Sequence, residues 1–368
     1  MLTNVQPGLR RGWHPVARSE ALTDRPLAVE LLGERWVVAR LDGREPVAFA
    51  DRCPHRLAPL SAGRVEGAEL VCGYHGWRFD GSGARTAVPA LGPAAASGAP
   101  RAGATAAWGV REQHGLVWLA PDAPRAGIID WPDYDRDRDR DHDHDHDSGD
   151  DGAGPGFDVA WLDLVATTAA AGLLADNFLD TAHLPFVHAA TIGADEGALV
   201  PPYDVTPAGA GFRVSLDQTV ANPEDPGVAA GARPPRQRRL ADYEFVPPFM
   251  MRLRMEYPEA GTVSDILFCL QPENAGRTRI YTRIARNDLG GDPERIAAAV
   301  AFERRILAED LALQEQFAID GLPLGGRGRA PGEPIEVSIR PDAAGLALRR
   351  ALRAFVGPAE PAEPEPVW

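Results

Sequence analysis

Two groups of residues in this chain have the types and spacing of metal ligands. In the stretch CPHRLAPLSAGRVEGAELVCGYHGW, Cys53 and His55 form a Cys-x-His pair, sixteen residues intervene, and Cys72 and His75 form a Cys-x2-His pair. Each pair lies beside Pro or Gly, so two tight loops can present thiolate and imidazole to one centre. A zinc finger places its two cysteines ahead of its two histidines. The order here, Cys-His then Cys-His, suits a [2Fe–2S] centre in which two thiolates hold one iron and two imidazoles the other. Such ligation raises the potential to about −150 to +300 mV, from about −400 mV for an all-thiolate cluster, which fits a relay toward an oxidising site.

The second group is DNFLDTAHLPFVH, residues 176–188. Asp176, Asp180 and His183 stand at i, i+4 and i+7, so on a helix over about 168–183 they share one face. His188 follows after Pro185, which is expected to bend the chain. Two histidines and one carboxylate form the facial set that leaves open positions on Fe(II). The third ligand is sought on a long helix over 293–319, which offers Glu303, Glu309 and Asp310. At 100° per residue Asp310 falls centrally among Ile296, Ala299, Val300, Ile306, Leu307, Leu313 and Phe317, and Glu309 lies a quarter-turn toward the edge. A carboxylate inside an apolar stripe needs a charge partner, and a metal supplies one. Glu303 lies almost on the same line two turns earlier, so helix geometry leaves it as a rival.

A third stretch, DHDHDHD at 141–147, alternates two metal-binding side chains. No apolar residue occurs from 135 to 152. Ordering that backbone would cost about 1–2 kcal/mol per residue with no burial to offset it. His142, His144 and His146 would share a face only in a strand, and nothing nearby could pair with one. Residues 133–156 therefore read as a disordered linker, with no specific metal site expected there.

The elements that must position these groups fall on either side of that linker. Over residues 1–122 the strands LAVELL, RWVVARL, PVAFA and GLVWLA, with Asp42-Gly43 as a hairpin turn, predict an all-β domain. Over 157–368 the strands FRVSLDQTV, LADYEFV, FMMRLRMEY, TVSDILFCLQ and RIYTRIAR stand between two helices. That order predicts α+β, an antiparallel sheet covered on one side by helices. The Pro/Gly-rich stretch 222–235 reads as a surface loop, with a lid or a reductase contact as the sharper alternative. Trp77 is a candidate shield for the first centre, and Cys269 reads as a buried, inert thiol. His14 and His114 have no partner at ligand spacing.

Composition narrows the class. The chain has 368 residues, 44% of them hydrophobic, three cysteines and a net charge of −15. Three scattered cysteines do not make a disulfide framework. An acidic chain lacks the basic face that nucleic acid requires. No apolar run approaches the length of a membrane helix, and the N-terminus has no secretory h-region, so a cytoplasmic location away from membranes is expected. GGRGRAPG at 325–332 mimics a nucleotide loop but lacks a preceding strand and contains Pro331. Reducing equivalents would therefore come from a different protein.

Cys-Pro-His-Arg followed by Cys-x-Tyr-His-Gly-Trp resembles the Rieske domain of Rieske non-haem iron oxygenases. Asp-x2-His-x4-His followed far downstream by Glu-Asp resembles their catalytic domain. The resemblance covers nearly the whole chain except the aspartate-rich linker. The compact single-subunit form and residues 176–188 are similar to the vanillate O-demethylase and dicamba monooxygenase branch, as, more weakly, are residues 334–352. The resemblance implies a helix-grip, START-like catalytic domain, with His183, His188 and Asp310 as ligands of a mononuclear Fe(II). It implies that Asp180 is a bridging aspartate meeting His75 of the partner subunit in a head-to-tail homotrimer. It further implies electrons from a separate NAD(P)H reductase or ferredoxin, and O2-dependent hydroxylation or O-demethylation of a small apolar or aromatic substrate. Ring cis-dihydroxylation and a Rieske electron carrier with a non-catalytic binding domain are the alternatives.

Overall fold

Short strands and tight turns build the smaller of the two units into which the chain divides; it comprises residues 4–127 and 271–275. The computed structural model describes residues 1–92, 102–134, 156–193, 198–222, 224–325 and 336–357. The aspartate-rich stretch, with His142, His144 and His146, lies outside them. The chain opens with β1 (Leu2–Thr3), which belongs to the larger unit, and continues through β2 (His14–Arg18), β3 (Leu27–Leu31), β4 (Glu34–Arg40) and β5 (Pro46–Ala50). Next come β6 (Arg64–Glu66), β7 (Glu69–Val71), β8 (Arg78–Phe79), β9 (Arg85–Ala87), β10 (Gly109–Gln113) and β11 (Leu116–Ala120). They form three antiparallel sheets, in the orders β3-β4-β5, β6-β7-β8-β9 and β10-β11-β2.

The β4–β5 turn follows from Asp42 and Gly43. Both have positive φ, 51° and 66°, and the Arg44 N–H closes on the Leu41 carbonyl at 3.0 Å, the form whose twist suits a hairpin. Val37, Phe49, Leu70 and Phe79 pack with Cys53 and Cys72 in one buried cluster, so the sulfur-bearing loops rest on the core of the unit. Buried Asp51 accepts hydrogen bonds from the backbone N–H and hydroxyl of Ser61, both at 2.7 Å, and from Arg35 at 3.0 Å. That carboxylate pins the loop carrying Cys53 and His55 at both ends.

The larger unit contains residues 1–3, 128–270 and 276–357. It runs through β12 (Asp158–Trp161), β13 (Val165–Thr167), α1 (Ala171–Leu179), α2 (Leu184–Val187), β14 (Val205–Ala208), β15 (Gly211–Ala221), α3 (Pro226–Ala229) and β16 (Arg236–Val246). It continues with β17 (Met250–Tyr257), β18 (Thr262–Asn274), β19 (Arg277–Arg286), α4 (Pro293–Gln314), β20 (Gly321–Leu322) and α5 (Ala343–Val356). Eight strands make one sheet, β12-β19-β18-β17-β16-β15-β14, with β13 also on β19, and β1 pairs with β20. The fold is α+β, as the strand and helix patterns predict.

All five predicted strands of this unit form, and β12, β13 and β14 join them unannounced because each is only three or four residues long. Ile296, Ala299 and Val300 of α4 pack on Leu162, Ile266, Ile284 and Leu289, which docks the helix on the sheet. Fully burying Leu162, Ile284 or Leu289 beneath them contributes about 1.5–3 kcal/mol each. Asp292 caps α4 by accepting the Glu294 N–H at 2.9 Å, with Pro293 in the first turn.

Both long helices are shorter than their periodicity implies. α4 stops at Gln314, so Phe317 (43% exposed) falls outside it, and Leu313 in its last turn is 42% exposed; neither extends the buried stripe. α1 stops at Leu179, because Asp180 is extended and its carboxylate accepts the Ala182 N–H at 2.8 Å, a local bond that competes with the next helical turn. Pro185 does not bend a helix; it sits in the first turn of α2, where its missing N–H costs nothing. In the 222–235 loop, Asp225 caps α3 and accepts from Arg233 twice at 2.6 Å and from Gln237 at 2.6 Å, so the loop is braced from within.

Candidate active site

The first predicted centre is carried by two loops that close in the same way. The Cys53 N–H donates to the Ala58 carbonyl (2.7 Å) and the Leu57 N–H to that of Cys53 (2.8 Å). In the second loop the Cys72 N–H donates to Trp77 (2.8 Å) and the Gly76 N–H to Cys72 (3.0 Å). Gly76 has φ 69°, a conformation glycine adopts without strain. A Cβ on Gly73 would lie 2.7 Å from the Ala62 carbonyl oxygen, so the loops approach too closely for a larger residue there.

Cys53 and Cys72 are buried and unpaired by disulfide, whereas His75 is exposed and His55 partly so. The two imidazoles meet with ring centroids 4.6 Å apart, and Trp77 stacks on His55 at 4.7 Å. Burial pushes the Cys53 thiol up to about 11, against the pull of the His55 and Arg56 backbone N–H groups aimed at the sulfur. A thiolate in that pocket needs a metal's charge. The His55 Nδ1 is buried without a hydrogen-bond partner, so one lone pair or proton there is left unsatisfied. Buried sulfurs receiving N–H groups and an orphaned imidazole nitrogen fit an iron–sulfur cluster.

The second centre draws on three elements. His183 and His188 flank the single turn of α2, whose first bonds run from the Phe186 and Val187 N–H groups to the His183 carbonyl, both at 2.9 Å. Asp310 arrives from α4. The His183 and His188 Nε2 atoms lie 3.3 Å apart, and Asp310 Oδ1 lies 3.4 Å from the first and 3.1 Å from the second. Among the described residues these three form the group whose ligand atoms gather closely enough for one ion. Three adjacent octahedral positions at about 2.1 Å from a metal are about 3.0 Å apart, close to this triangle. Asp310 Oδ1 is buried with no hydrogen-bond partner. A carboxylate oxygen without a hydrogen-bond partner, facing two imidazole nitrogens, is a donor set that fits a single metal.

The electrostatics agree. Burial pulls the His183 imidazole down, but Asp180 and Asp310 outweigh it and lift it to about 9. Burial pushes the Asp310 carboxyl up, but His183, His188 and Asn177 bring it to about 2. The carboxylates around the histidines thus favour positive charge at this point.

Its outer ring was only partly legible in the sequence. Asp180 Oδ2 stands 3.4 Å from His183 Nδ1. His188 has a closer support: its Nδ1 is 2.7 Å from Glu309 Oε2, and Glu309 Oε1 accepts the Thr191 hydroxyl at 2.5 Å. Glu309, a candidate ligand by sequence, therefore orients a histidine, as carboxylates behind metal-binding imidazoles commonly do. A helical wheel places it a quarter-turn from Asp310, and that offset was the only available signal. Asp176, expected beside Asp180 and His183, instead pairs with Arg349 of α5 at 2.7 and 2.8 Å, and α1 ends before Asp180. Glu303, the rival ligand, stands apart from the triad and lines the adjoining cavity. His14 is buried with its Nε2 2.8 Å from the Leu9 carbonyl oxygen, a packing role, and Cys269 is buried with its thiol pushed up by burial.

The cavity opens onto His183, His188 and Asp310. Phe178, Tyr243, Leu253, Ile266, Phe268 and Leu307 supply much of its wall, and Phe178 stacks on Phe268 at 4.8 Å. A concave, mostly apolar space beside convergent polar groups suits a small organic molecule. No helix among the described residues is long and apolar enough to cross a membrane.

A β domain with paired Cys-His loops, followed by a large antiparallel sheet that presents two histidines and an aspartate to an apolar cavity, defines the α subunit of a Rieske oxygenase. Residues 12–101 match the Rieske [2Fe–2S] domain, and residues 167–357 match the vanillate O-demethylase oxygenase C-terminal domain. The chain belongs to the family that the latter domain defines. It is 28% identical to the methylxanthine N1-demethylase NdmA of Pseudomonas putida, over 94% of this chain and 88% of that protein. It is 26% identical to the vanillate O-demethylase oxygenase subunit of a Pseudomonas species, over 90% and 97%. The structure of dicamba monooxygenase bound to 3,6-dichlorosalicylic acid superposes with a TM-score of 0.70 over 96% of this chain and 98% of that one, at 19% identity, which shows the shared fold.

Proposed function

We propose that this chain is the terminal oxygenase of a cytoplasmic monooxygenase system, which hydroxylates or demethylates a small apolar or aromatic molecule with O2 and electrons from a separate NAD(P)H reductase or ferredoxin. In this reading Cys53, His55, Cys72 and His75, within a domain spanning 1–122, hold the [2Fe–2S] cluster. His183, His188 and Asp310, within a domain beginning at 157, hold a mononuclear iron, and 133–156 joins the two. When bound, the cluster supplies electrons and the iron supplies a redox-active Lewis acid with free coordination positions. For a methyl ether the overall reaction takes the ether, O2, two electrons and two protons to the alcohol, formaldehyde and water.

The chain's own residues prepare the site. Glu309 accepts the proton of His188 Nδ1, which leaves Nε2 as the free base that a metal requires. Asp180 stands 3.4 Å behind His183 Nδ1, without a hydrogen bond between them, and contributes negative charge there. The apolar wall excludes bulk water, and stacked Phe178 and Phe268 offer a flat surface against which a ring can lie. Asp180 keeps 40% of its side chain exposed, and His75 is exposed. Both are therefore free for the contact between Asp180 and His75 of the partner subunit that a homotrimer would make.

The observation that carries the reading is the triangle of Nε2, Nε2 and Oδ1 with its orphaned Asp310 oxygen. Iron counting on purified, reconstituted protein tests it. Three irons per chain are expected, falling to two in His183→Ala with the cluster's visible spectrum intact. Two irons in the parent protein would leave an electron carrier. A cis-diol product would replace monooxygenation by dihydroxylation.

A further inference from the structure

The helix stripe that faces the sheet is apolar on both sides of one residue. Ile296, Ala299 and Val300 pack in the core, Ile306 and Leu307 line the cavity, and Glu303 interrupts them. No hydrogen bond from a described residue acts on its carboxyl, and burial pushes it up to about 7. Arg286, the cation whose charge acts most on it, is already committed to Glu224 and Asp288, each at 2.8 Å. On β19, Thr282 also lines the cavity, and its hydroxyl is buried without a partner. Among the described residues of this wall, apart from the groups around the triad, only Tyr243 adds a further polar atom.

A half-buried carboxyl and a buried hydroxyl, neither with a partner among the described residues, are costly unless a ligand completes them. Seven helical residues separate Glu303 from Asp310, a rise of about 10 Å, with the two side chains within about 20° of one line. A ligand reacting near Asp310 thus presents its opposite end to Glu303.

We propose that Glu303, with Thr282, sets the specificity of this cavity, selecting a ring-bearing apolar substrate that carries an N–H donor, a basic amine or a lactam, at the end remote from the triad. A carboxylate at that end would face Glu303 and is rejected. The assignment rests on the triad-lined cavity being the substrate site of the oxygenase reading, and its test separates the two.

Calorimetric titration of the anaerobic holoprotein uses three matched probes: a methoxytetrahydroisoquinoline as the amine, a methoxyquinolinone as the lactam and a methoxytetrahydronaphthoate as the carboxylate. The amine and lactam are expected to bind at least about tenfold more tightly than the carboxylate, or about 1.4 kcal/mol. Glu303→Leu is expected to reverse that order while melting no lower than the parent. Glu303→Gln is expected to keep the lactam and lose the preference for the amine. Equal or tighter binding of the carboxylate by the parent, no measurable binding of any probe, or an unchanged order in both variants would overturn the proposal. The third iron is counted on the same samples. The expected binding order in a protein that lacks this iron sinks the oxygenase reading and leaves the subsite standing, whereas a third iron without the binding order does the opposite.

Discussion

Removing Glu309 should loosen the mononuclear metal without touching the cluster. His188 is fully buried, and its Nδ1 is 2.7 Å from Glu309, whose other oxygen is held by Thr191. That is a short, charge-assisted contact in a place where water cannot substitute for it. Asp180, by comparison, stands 3.4 Å from His183 Nδ1. Loss of a carboxylate behind a metal-binding imidazole costs about 10–100-fold in metal affinity, or about 1.4–2.7 kcal/mol. With the shorter contact and the fully buried ring, Glu309→Ala belongs at the upper end of that range. Glu309→Gln retains an acceptor for Nδ1–H and belongs at the lower end. Competition with a calibrated chelator, followed by iron analysis while the visible absorbance of the cluster is monitored, reads the affinity directly. If Glu309→Ala held its third iron as tightly as the parent, the orienting role argued from these distances would be wrong. If the variant lost the cluster instead, the division between the two centres would be wrong.

Asp180→Asn should leave iron content and the visible spectrum intact and lower turnover by about 10–100-fold; unchanged turnover would remove the bridge. Burial raises Glu303 from its ordinary 4.5 to about 7, so between those values the folded chain holds a proton that the unfolded chain has released, and the carboxyl's contribution to stability falls as pH rises through that window. Glu303→Gln should accordingly gain on the parent in urea melts above about pH 7, by at most about 3 kcal/mol and less where cavity water screens the group, and a difference equal at about pH 5 and pH 8 would refute it. Asp265, fully buried, accepts from Arg252 at 2.6 Å, Trp131 at 3.0 Å and Tyr134 at 2.7 Å, so Asp265→Ala strands three donors. It should lower unfolding stability by about 3–5 kcal/mol in urea titration, and a loss under about 1 kcal/mol would show that the network relaxes.

Local chemistry was legible wherever the chain itself fixes the distance. Cys53 with His55 and Cys72 with His75 lie within single turns, so their spacing alone brings sulfur and imidazole together, and the β strands around them follow from alternation and from Asp42-Gly43. His183 and His188 likewise flank one turn of helix, and their pairing survived even though the predicted bend at Pro185 proved to be a helix start. Asp310, Glu309 and Glu303 were different. They lie 122, 121 and 115 residues beyond His188. A helical wheel gives only the angle at which each points, and positions two turns apart point almost the same way. How far α4 slides along the sheet before its apolar residues lock decides which carboxylate reaches the histidines, which one stands behind them and which one enters the cavity. The ending of α1 at Leu179 was equally hidden, because it depends on Asp180 preferring its own backbone bond and on Arg349, from the far end of the chain, claiming Asp176. The sequence by itself determined the kinds of ligand and their local pairs, because covalent spacing controls distances within a turn, and its resemblance to Rieske oxygenases singled out Asp310; only tertiary packing set where Glu309 and Glu303 stand relative to the histidines, because only burial sets the position of one element along another.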